Sequence, residues 1–462
     1  MRNKLLMSNK FLKFLKFSQL TYWTAKRYFA KELQLTNKYP KVLMGFFLSK
    51  SQPNIINIKD EGQYKIIGVR SYGKGAYINR EVAGQQLTMK KYQLAKANQL
   101  IWCKVDTKNG AFGIVNDELA NSYASSNMCL VDIDNSKILN QYLQLLFTSQ
   151  NFQRYLDSFV SGTTNRKYIK LDELLNSIEV PLPPIEKQRE IVEKYNAKIK
   201  LAEEQEQKAK NLEKEIDLYL NDALGIKEDI KVNFNKQIKN IRFIPFKNLS
   251  RWDSFFFNNE FKVIDNCLAQ AKYECKKVDQ VVEKLINGVD SRQYMEKGVP
   301  YLRVSNIKPN KIEISDIKYI ENCNKNTKGF VKKNEILITR KGTYGNAVVV
   351  TEEDEKHNFV VSSEVFKLTL KDADIINPYY FQYYINSSFC KLQMERVKTR
   401  GIMGSLTQEA LLNLIIPLPP ICVQNDIVLN IEKKQKNITT LLVQFEQNKI
   451  DAQQEFEKEL FE

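Results

Sequence analysis

The chain has 462 residues, of which 43% are hydrophobic, enough for roughly two to four packed domains and too many for a wholly disordered protein. Its 70 lysines and arginines outnumber its 54 acidic residues and give a formal net charge of +16, which favours a polyanionic partner, with nucleic acid as the first candidate. Because the only histidine is His357, most Ser-His-Asp, Cys-His and multi-histidine metal chemistry is excluded.

The chain begins with a basic, apolar segment in which Lys10, Lys13 and Lys16 interrupt the apolar run. A signal peptide needs an unbroken apolar centre, so we expect a short surface helix packed by Leu12 and Leu15 rather than a targeting signal. No stretch reaches the ~18 apolar residues of a membrane-spanning helix. The seven cysteines include no Cys-x-x-Cys pair, which fits reduced thiols in a cytoplasmic protein.

The first half of the chain is rich in predicted strands. Residues 64–69 and 100–105 are short β-branched or aromatic runs bounded by turn residues. Residues 140–159 then have a helical pattern. We therefore expect a globular α+β domain that becomes helical towards its end.

A long helix is predicted after the string Pro-Leu-Pro-Pro at residues 181–184, because proline suits an extended lead-in and a first helical turn. Residues 186–224 contain no proline or glycine, and Gly225 ends the run. Positions three and four apart form a heptad seam with polar lapses at Lys198 and Gln205. The seam comprises Ile191, Tyr195, Lys198, Ala202, Gln205, Ala209, Leu212, Ile216 and Tyr219.

The second half shows the same order of elements. Strands are predicted at residues 301–304, 336–339 and 347–350, a helical stretch at 379–397, and a second long helix from Cys422 to the C-terminus. Its seam comprises Ile427, Ile431, Lys434, Ile438, Leu441, Phe445, Asn448 and Ala452. A single helix of this kind would leave its apolar stripe in water, so the two long helices most simply pair with each other.

The two halves are interpreted as an internal repeat. The string Pro-Leu-Pro-Pro recurs at residues 417–420, which is 236 residues after its first occurrence. Further matched pairs, at slowly drifting offsets, include Asn98-Gln99 with Asn334-Glu335 at 236, Ser125-Ser126 with Ser362-Ser363 at 237, and Phe112-Gly113 with Tyr344-Gly345 at 232. Duplication followed by loop insertions produces such a pattern, and the last pair indicates a few extra residues in a loop of the first half.

The fold class predicted is therefore α+β, with two similar domains joined by two long antiparallel coiled-coil helices and a pseudo-two-fold relation between the repeats. We place the first domain at residues 1–180 and its spacer helix at 181–225. The second domain is placed at residues 226–416 and its spacer helix at 417–462. An antiparallel helix pair would put the two domains at opposite ends of the molecule.

The chain resembles the specificity subunit of type I restriction–modification systems over nearly its whole length. The most specific strings are EVPLPPIEKQREIV at residues 179–192 and IIPLPPICVQNDIV at 415–428, in which Gln188 and Gln424 follow Pro-Pro-Ile. Further similar strings are VPYLRVSNI at 299–307, EILITRKGTYGNAVVV at 335–350 and LSRWD at 249–253. The first half is the more divergent copy, since its Trp23 follows tyrosine rather than arginine and its counterpart of residues 340–345 lies at 104–113.

This resemblance implies a function in bacterial host defence. Its members carry two target-recognition domains that read a bipartite duplex DNA sequence, and they recruit two methyltransferase subunits, which restriction subunits can join. It implies that this chain is non-catalytic, with the methyl donor, Mg²⁺ and ATP bound by the partners and no cofactor, metal or small-molecule substrate of its own. The helix pair would then act as a ruler that sets the number of unread base pairs between the half-sites.

Candidate DNA-contacting residues are those in loops that combine Arg or Lys for phosphates, polar side chains for base edges, and Gly where backbones approach closely. In the second half they are Arg303, Ser305, Asn306, Lys308, Arg340, Lys341, Thr343, Tyr344, Lys398 and Arg400. In the first half they are Arg70, Ser71, Tyr72, Lys74, Lys104, Lys108, Asn109, Arg166, Lys167 and Tyr168. A lone basic turn is more often a solvated hairpin tip, but three such turns recurring in both halves favour DNA binding by the set.

Two alternative functions were weighed. One is a self-contained adenine-N6 methyltransferase or nuclease, suggested by Asn377-Pro-Tyr-Tyr380 and Glu364-Val-Phe-Lys367. The first copy has unrelated residues at both positions and no second proline follows Asn377, so we interpret Pro378 as the first turn of a helix. The other is a coiled-coil adaptor that binds protein or RNA. No phosphate-binding GxxxxGK[ST] string occurs.

Overall fold

The structure, a computed structural model, describes residues 38–104, 110–159, 169–226, 255–258, 261–321, 328–399 and 404–461. The chain forms two compact units. Unit 1 comprises residues 1–205 and 443–462, and unit 2 comprises residues 206–442. Each unit thus contains one globular half of the chain and a section of both long helices. The predicted N-terminal surface helix lies outside the described residues.

Unit 1 contains eleven strands among its described residues, in three sheets. They are β1 (Lys41–Leu43), β2 (Leu48–Lys50), β3 (Ile55–Asn57), β4 (Gln63–Val69), β5 (Ala76–Ala83), β6 (Lys91–Leu94), β7 (Gln99–Cys103), β8 (Phe112–Val115), β9 (Tyr123–Ala124), β10 (Met128–Ile133) and β11 (Glu179–Pro181). An antiparallel sheet has the order β2-β10-β7-β8, a second sheet has the order β3-β6-β9-β4-β5, and β1 pairs with β11. β7 and β8 are almost continuously apolar, and most of their residues are buried, as fits strands of a sheet that is covered on both faces.

Unit 1 has three short α-helices between β10 and β11, and the first long helix follows β11. They are α1 (Asn140–Thr148), α2 (Gln150–Phe159), α3 (Leu171–Ser177) and α4 (Ile185–Leu224). The core lies between the four-stranded sheet and α1 and α2, where the rings of Phe112 and Phe147 stack with centroids 4.3 Å apart. Phe456, near the C-terminus, packs into this same core, so the last turns of the second long helix belong to unit 1.

Unit 2 also contains eleven strands among its described residues. They are β12 (Cys275–Lys277), β13 (Val282–Asn287), β14 (Val299–Leu302), β15 (Ile307–Lys308), β16 (Lys311–Ile312), β17 (Lys318–Ile320), β18 (Ile336–Thr339), β19 (Ala347–Val349), β20 (Val360–Val361), β21 (Val365–Leu370) and β22 (Ile415–Pro417). Its antiparallel sheet has the order β13-β21-β18-β19, and a second sheet has the order β17-β14-β20. β15 pairs with β16, and β12 pairs with β22.

The helices of unit 2 end with the second long helix. They are α5 (Lys262–Ala269), α6 (Val278–Val281), α7 (Glu352–Lys356), α8 (Pro378–Asn386), α9 (Ser388–Val397), α10 (Gln408–Leu412) and α11 (Ile421–Phe461). The sheet, α8 and α9 enclose a core in which Tyr380, Phe381, Tyr384 and Phe366 are almost completely buried. The predicted helical stretches 140–159 and 379–397 are thus confirmed, but each divides at a serine, Ser149 or Ser387, that caps its second helix.

A strand pair closes each globular domain. β1 pairs antiparallel with β11, and β12 pairs antiparallel with β22, so the first and last strands of each domain form one short ladder. The ladders continue by one hydrogen bond each, from Leu182 N–H to the Pro40 carbonyl at 2.9 Å and from Leu418 N–H to the Glu274 carbonyl at 2.8 Å. We call this feature the clasp; the proline string that leads into each long helix starts in it.

The glutamine that follows each Pro-Pro-Ile string has the same environment in both units. Gln188 is fully buried, donates to the Pro183 and Lys137 carbonyls at 2.8 and 3.0 Å, and accepts from Leu139 N–H at 2.8 Å. Gln424 is also fully buried and makes the equivalent three bonds, at 2.8, 3.0 and 2.9 Å. Each glutamine thus joins the proline string at the start of its long helix to the backbone just before α1 or α8, which explains why the strings share this residue.

The long helices pair antiparallel within unit 1. Lys198 of α4 forms an ion pair with Glu455 of α11 at 2.6 Å, and Gln205 further along α4 accepts from Asn448 of α11 at 2.8 Å. Residue numbers therefore rise along one helix as they fall along the other, so the two helices are antiparallel. The two polar lapses of the predicted seam are filled by these polar contacts across the helix pair.

The same pairing holds within unit 2. Glu215 of α4 meets Lys434 of α11 at 2.9 Å, and Tyr219 accepts from Asn430 at 3.0 Å. Every predicted seam position of both helices is buried or half-buried. The prediction of two long antiparallel helices is confirmed.

The internal repeat is confirmed by topology. Both four-stranded sheets have the same strand order, and each second sheet contains one parallel contact, Ile66 with Tyr123 in unit 1 and Tyr301 with Val360 in unit 2. Asn98 and Asn334 both take left-handed backbone, with φ of 62° and 66°, in the turn before the equivalent strands β7 and β18.

One predicted match within the repeat is wrong. β7 pairs Trp102 with Phe112, and the equivalent pair in β18 is Ile338 with Ala347. With Asn98 equivalent to Asn334, the residues equivalent to 112–113 are 347–348 rather than 344–345. The first loop is longer by a single residue, and the Tyr-Gly and Phe-Gly strings matched by coincidence.

Candidate nucleic-acid interface

The turn between β18 and β19 holds four of the predicted DNA-contacting residues, Arg340, Lys341, Thr343 and Tyr344. Its path is set by Gly342 and Gly345, which take left-handed backbone with φ of 65° and 77°. Thr339 Oγ1, at the end of β18, donates to the Thr343 carbonyl at 2.5 Å and accepts from Asn346 N–H at 2.9 Å. A Cβ on Gly342 would meet nothing within 4 Å, so the tip of the turn is open to solvent.

The basic side chains of this turn differ in burial. Arg340 is half-buried with its guanidinium 5.5 Å from the centre of the Phe366 ring, and its Nη1 donates to the Ser363 carbonyl at a long 3.4 Å. Its Nε has no hydrogen-bond partner among the described residues. Lys341 is exposed and lies 3.8 Å from Glu364. Arg340 is therefore fixed by stacking, with a buried, unpaired Nε and with one long hydrogen bond from its terminal nitrogens among the described residues.

Lys391 of helix α9 forms hydrogen bonds with the turn between β18 and β19. This lysine donates to the Gly345 carbonyl and, at 3.2 Å, to Asn346 Oδ1. Burial lowers the pKa of Lys391 to about 8. The sequence analysis missed Lys391. Its only signal is its position directly before three buried residues of a helix.

A second contact between α9 and the turn involves Tyr344. Its hydroxyl donates to Glu395, and Lys398 Nζ lies 5.4 Å from the centre of its ring. Lys398 also pairs with Glu395 at 2.5 Å. Burial and the bond to Glu395 raise the pKa of Tyr344, so its phenol stays protonated at neutral pH. Two predicted residues from different loops, Tyr344 and Lys398, are thus brought together.

The third basic loop of unit 2 lies directly beside the turn. Leu406 N–H donates to the Arg340 carbonyl at 2.8 Å, and Lys341 and Ser405 form an isolated antiparallel bridge. Thr399 in turn accepts from Ser405 N–H at 3.0 Å. Arg400, predicted in this loop, lies outside the described residues.

The loop after β14 forms the other side of the cluster. Asn346 Nδ2, next to the turn, donates to the Ile307 carbonyl at 3.2 Å. Asn306 is only 2% exposed, and its amide donates to the Glu313 carbonyl at 2.8 Å and accepts from Arg303 N–H at 2.9 Å. The Asn306 side chain therefore holds the loop in shape from inside.

The other predicted residues of this loop, Arg303, Ser305 and Lys308, are half-buried or exposed. Arg303 forms a 2.8 Å ion pair with the exposed Asp316, while Ser305 and Lys308 are exposed. Unit 2 thus joins all three predicted basic loops into one surface, which we call the loop cluster of unit 2. It comprises the described residues among 303–308, 340–346 and 396–406.

Unit 1 builds a related cluster from its hairpin turn between β4 and β5 and the loop before β8. Gly73 N–H donates to the Gly110 carbonyl at 2.8 Å, which joins the two loops. Gly110 and Gly345 are equivalent in the corrected register and both take left-handed backbone. We call this surface the loop cluster of unit 1.

The predicted residues of the unit 1 cluster are placed as follows. Arg70 is exposed, and its guanidinium lies 4.5 Å from the centre of the Tyr77 ring. Tyr72 and Lys74 are also exposed, whereas Ser71 is half-buried. Lys104 Nζ donates to the Ser126 carbonyl at 3.0 Å. The other predicted positions of this half lie outside the described residues: Lys108, Asn109, Arg166, Lys167 and Tyr168.

The methyltransferase-like string has a structural explanation. Asn377 caps α8, with its Oδ1 accepting from Tyr379 N–H at 2.8 Å, and Pro378 occupies the first turn. Tyr380 is buried and its hydroxyl donates to the Pro417 carbonyl at 2.6 Å, as Tyr142 does to the Pro181 carbonyl at 2.8 Å in unit 1. The interpretation of Pro378 as a first helical turn is confirmed.

The described part of the chain contains no group of three or more His, Cys, Asp or Glu side chains placed to hold a metal ion. Within the same residues, no helix has the length and apolar character needed to cross a membrane.

Comparisons with known proteins agree with this architecture. A solved chain described with the complex assembly and conformational transition of the type I R-M system superposes with a TM-score of 0.56 at 14% identity, over 92% of this chain and 97% of that one. The HsdS subunit from Thermoanaerobacter tengcongensis gives a TM-score of 0.41 at 14% identity, over 91% and 95% of the two chains. The first of these shows a shared fold.

A curated relative is the putative type I restriction enzyme MjaX specificity subunit of Methanocaldococcus jannaschii. It is 25% identical over 196 residues, which are 42% of this chain and 44% of that protein. The chain thus matches less than half the length of this curated relative.

A family model covers far more of the chain. The model of the type I restriction modification DNA specificity domain matches residues 41–214 and 270–460, one stretch for each copy of the repeat. It describes a DNA specificity domain and not a catalytic one. The chain therefore belongs to the type I restriction modification DNA specificity family.

Proposed function

We propose that this chain is the DNA sequence-specificity subunit of a type I restriction–modification system, a non-catalytic protein in which each unit reads one half of a bipartite duplex target. One observation carries the proposal: in a chain of net charge +16, both units build a loop cluster with basic residues around the turn between the last two strands of the same four-stranded sheet, β7 and β8 or β18 and β19. Duplicated readers of this kind suit a target made of two separate half-sites.

The loop clusters supply both kinds of contact that sequence-specific binding needs. Exposed Lys74, Lys308 and Lys341 suit phosphate oxygens, which give affinity and fix register. Arg340 is stacked on Phe366 and its terminal nitrogens make one long hydrogen bond among the described residues, so it suits bidentate recognition of a guanine edge, and such a pair gives ~1–3 kcal/mol of discrimination. The remaining predicted residues are proposed as contacts of the same two kinds.

The long helices suit a role as spacer and assembly surface. We propose recognition domains at residues 1–180 and 226–416 and spacer helices at 181–225 and 417–462. Helix length would set the number of unread base pairs between half-sites, and two methyltransferase subunits, with restriction subunits where present, would assemble on the chain. The methyl donor, Mg²⁺ and ATP would be bound by those subunits.

The proposal is tested by binding selection. The full chain, alone or with its methyltransferase partner, is incubated with duplexes that carry two randomised segments at varied separation, and bound duplexes are sequenced. We expect a two-part consensus with a fixed gap, and an association constant that falls steeply as salt rises. Equal affinity for all duplexes would overturn the proposal.

Two controls separate the alternatives. The purified chain is incubated with labelled methyl donor and DNA, and separately with Mg²⁺ and DNA. We expect neither methyl transfer nor cleavage without partners; turnover by the chain alone would favour the enzymatic alternative. Salt-insensitive binding to a protein or RNA, without preference for duplex DNA, would favour the adaptor.

A further inference from the structure

Tyr72 has a backbone conformation that its residue type does not favour. In the described part of the chain, six non-glycine residues take left-handed backbone, and five of them are asparagine. The sixth is Tyr72, with φ of 62°. Asparagine tolerates this region because its short side chain bonds locally, whereas a tyrosine gains no such compensation. Strained backbone of this kind persists only where the surrounding structure fixes it, and it clusters at functional sites.

The turn around Tyr72 is held rigidly. Gly73 donates to the Gly110 carbonyl at 2.8 Å and accepts from Gln144 Nε2 at 2.5 Å. A Cβ on Gly73 would lie 2.2 Å from the Phe147 carbonyl oxygen, so the turn packs directly on α1. Because both polar groups of Gly73 are used, the backbone that carries Tyr72 has one defined direction.

The Tyr72 ring itself is open to solvent. It is 57% exposed, and no other aromatic ring stacks on it within the described residues. Its neighbours in the same turn are cationic, with Lys74 exposed and Arg70 stacked 4.5 Å over Tyr77. An apolar ring on a rigid tip flanked by positive charge suits a ligand with a negatively charged backbone and flat faces.

We propose that Tyr72 is a stacking residue of unit 1, whose ring inserts at one base step of the first half-site and lies against the face of a nucleobase. This inference rests on the proposed function and names the contact through which unit 1 binds. Base faces inside a duplex are covered by their neighbours, so the contact requires that one step opens and partly unstacks. The second copy has no such residue, since the equivalent region of unit 2 folds as the 3₁₀ turn Val304–Asn306 and the β15–β16 hairpin.

The test uses two substitutions that separate the ring from the strain. Y72N removes the ring and supplies the residue that the left-handed region favours, so we expect Tm to rise by about 2 °C. Its affinity for the selected target should fall about tenfold, as loss of one base–aromatic stack predicts. Y72F keeps the ring and should bind within about twofold of the wild type. F46N is the matched control, because Phe46 is an aromatic residue of unit 1 that is 52% exposed and lies outside the loop cluster.

A second readout reports the DNA directly. Duplexes with 2-aminopurine at successive positions of the first half-site are titrated with each protein. We expect fluorescence to rise at one position with wild type, Y72F and F46N, and not with Y72N. Unchanged affinity and fluorescence for Y72N overturn the inference. A Y72F loss equal to that of Y72N, or a lower Tm for Y72N, also overturns it, because the hydroxyl or the packing would then be what matters.

These outcomes are distinguishable from failure of the proposed function. Wild-type binding to the two-part target is measured first. If the wild type has no sequence preference, the proposed function is wrong. If the wild type selects a two-part target and Y72N matches it in every readout, only the stacking inference is wrong.

Discussion

The two loop clusters lie on equivalent sheets, yet different chemistry holds them. In unit 2, the charged Lys391 on α9 bonds the turn before β19. The equivalent position on α2 is Gln153, a neutral residue that donates to the Phe147 carbonyl at 2.9 Å. At the start of the long helices, by contrast, Gln188 and Gln424 make the same three hydrogen bonds in both units.

This contrast shows where a duplicated unit can diverge. The clasp and the start of each long helix satisfy their own backbone groups, so they do not depend on which loops they carry. The loops are stabilised by a few local side chains that can change together. The predictions below separate the shared scaffold from the divergent loops.

The largest effect is expected from exchanging a whole recognition domain. Replacing residues 1–180 with the corresponding segment of a relative that reads another sequence should change one half-site completely and leave the other half-site and the gap unchanged. The selection experiment described above measures this. A change in both half-sites would show that the two readers are not independent.

Next come the buried glutamines of the scaffold. Gln188→Ala and Gln424→Ala each remove three hydrogen bonds and leave buried backbone groups unpaired, so each should lower the free energy of unfolding by about 3 kcal/mol. Calorimetry should give losses of similar size because the two environments are equivalent. A large loss in one unit alone would contradict that equivalence. The exposed Gln207→Ala is the control.

A smaller and strictly local effect is expected in the unit 2 loops. Arg340→Ala should weaken binding about tenfold to hundredfold and relax selection at one base of the second half-site only. Lys333→Ala is the control, since Lys333 is exposed and pairs with Glu352 away from the loop cluster. Equal weakening for every sequence would instead make Arg340 a phosphate contact.

The smallest effect concerns pH. The pKa of Lys391 is about 8 in the folded chain, below the 10.5 of an ordinary lysine. Below pH 8, Lys391 is protonated in both the folded and the unfolded chain, so the folded chain bears the full free-energy cost of burying its ammonium group. Between pH 8 and 10.5, Lys391 keeps its proton in the unfolded chain but loses it in the folded chain. The contribution of Lys391 to the free energy of unfolding therefore becomes more favourable as pH rises.

Melting curves of wild type and Lys391→Gln test this. From pH 7.5 to 9.5 the wild type should gain about 2 kcal/mol relative to the variant, which carries the residue found at the equivalent position of unit 1. Parallel pH profiles for the two proteins would show that Lys391 does not titrate in this range.

The sequence predicted the scaffold well because its signals are local. Proline strings and heptads placed the long helices within a residue of their start at Ile185 and Ile421. The β-branched run at 336–339 placed β18 with its correct bounds. These patterns report on nearest neighbours, which is where helix and strand preferences act.

The loop supports could not be predicted in the same way. Lys391 and Gln144 act on turns that are distant in sequence, and nothing in their own neighbourhood marks them. The false match at 344–345 has the same origin, since only the strand register shows which loop residues are equivalent. The breaks at Ser149 and Ser387 show that a serine inside a helical pattern can begin a new helix.

The clasp also determines how each domain responds to mechanical load. The two strands of each clasp pair antiparallel, so the entering and leaving chain lie at the same end of a ladder of three residue pairs, and a force that pulls these ends apart would unzip the ladder pair by pair. Along the covalent path from the long helix that follows each domain, the clasp is therefore reached before the sheets that present the loop clusters.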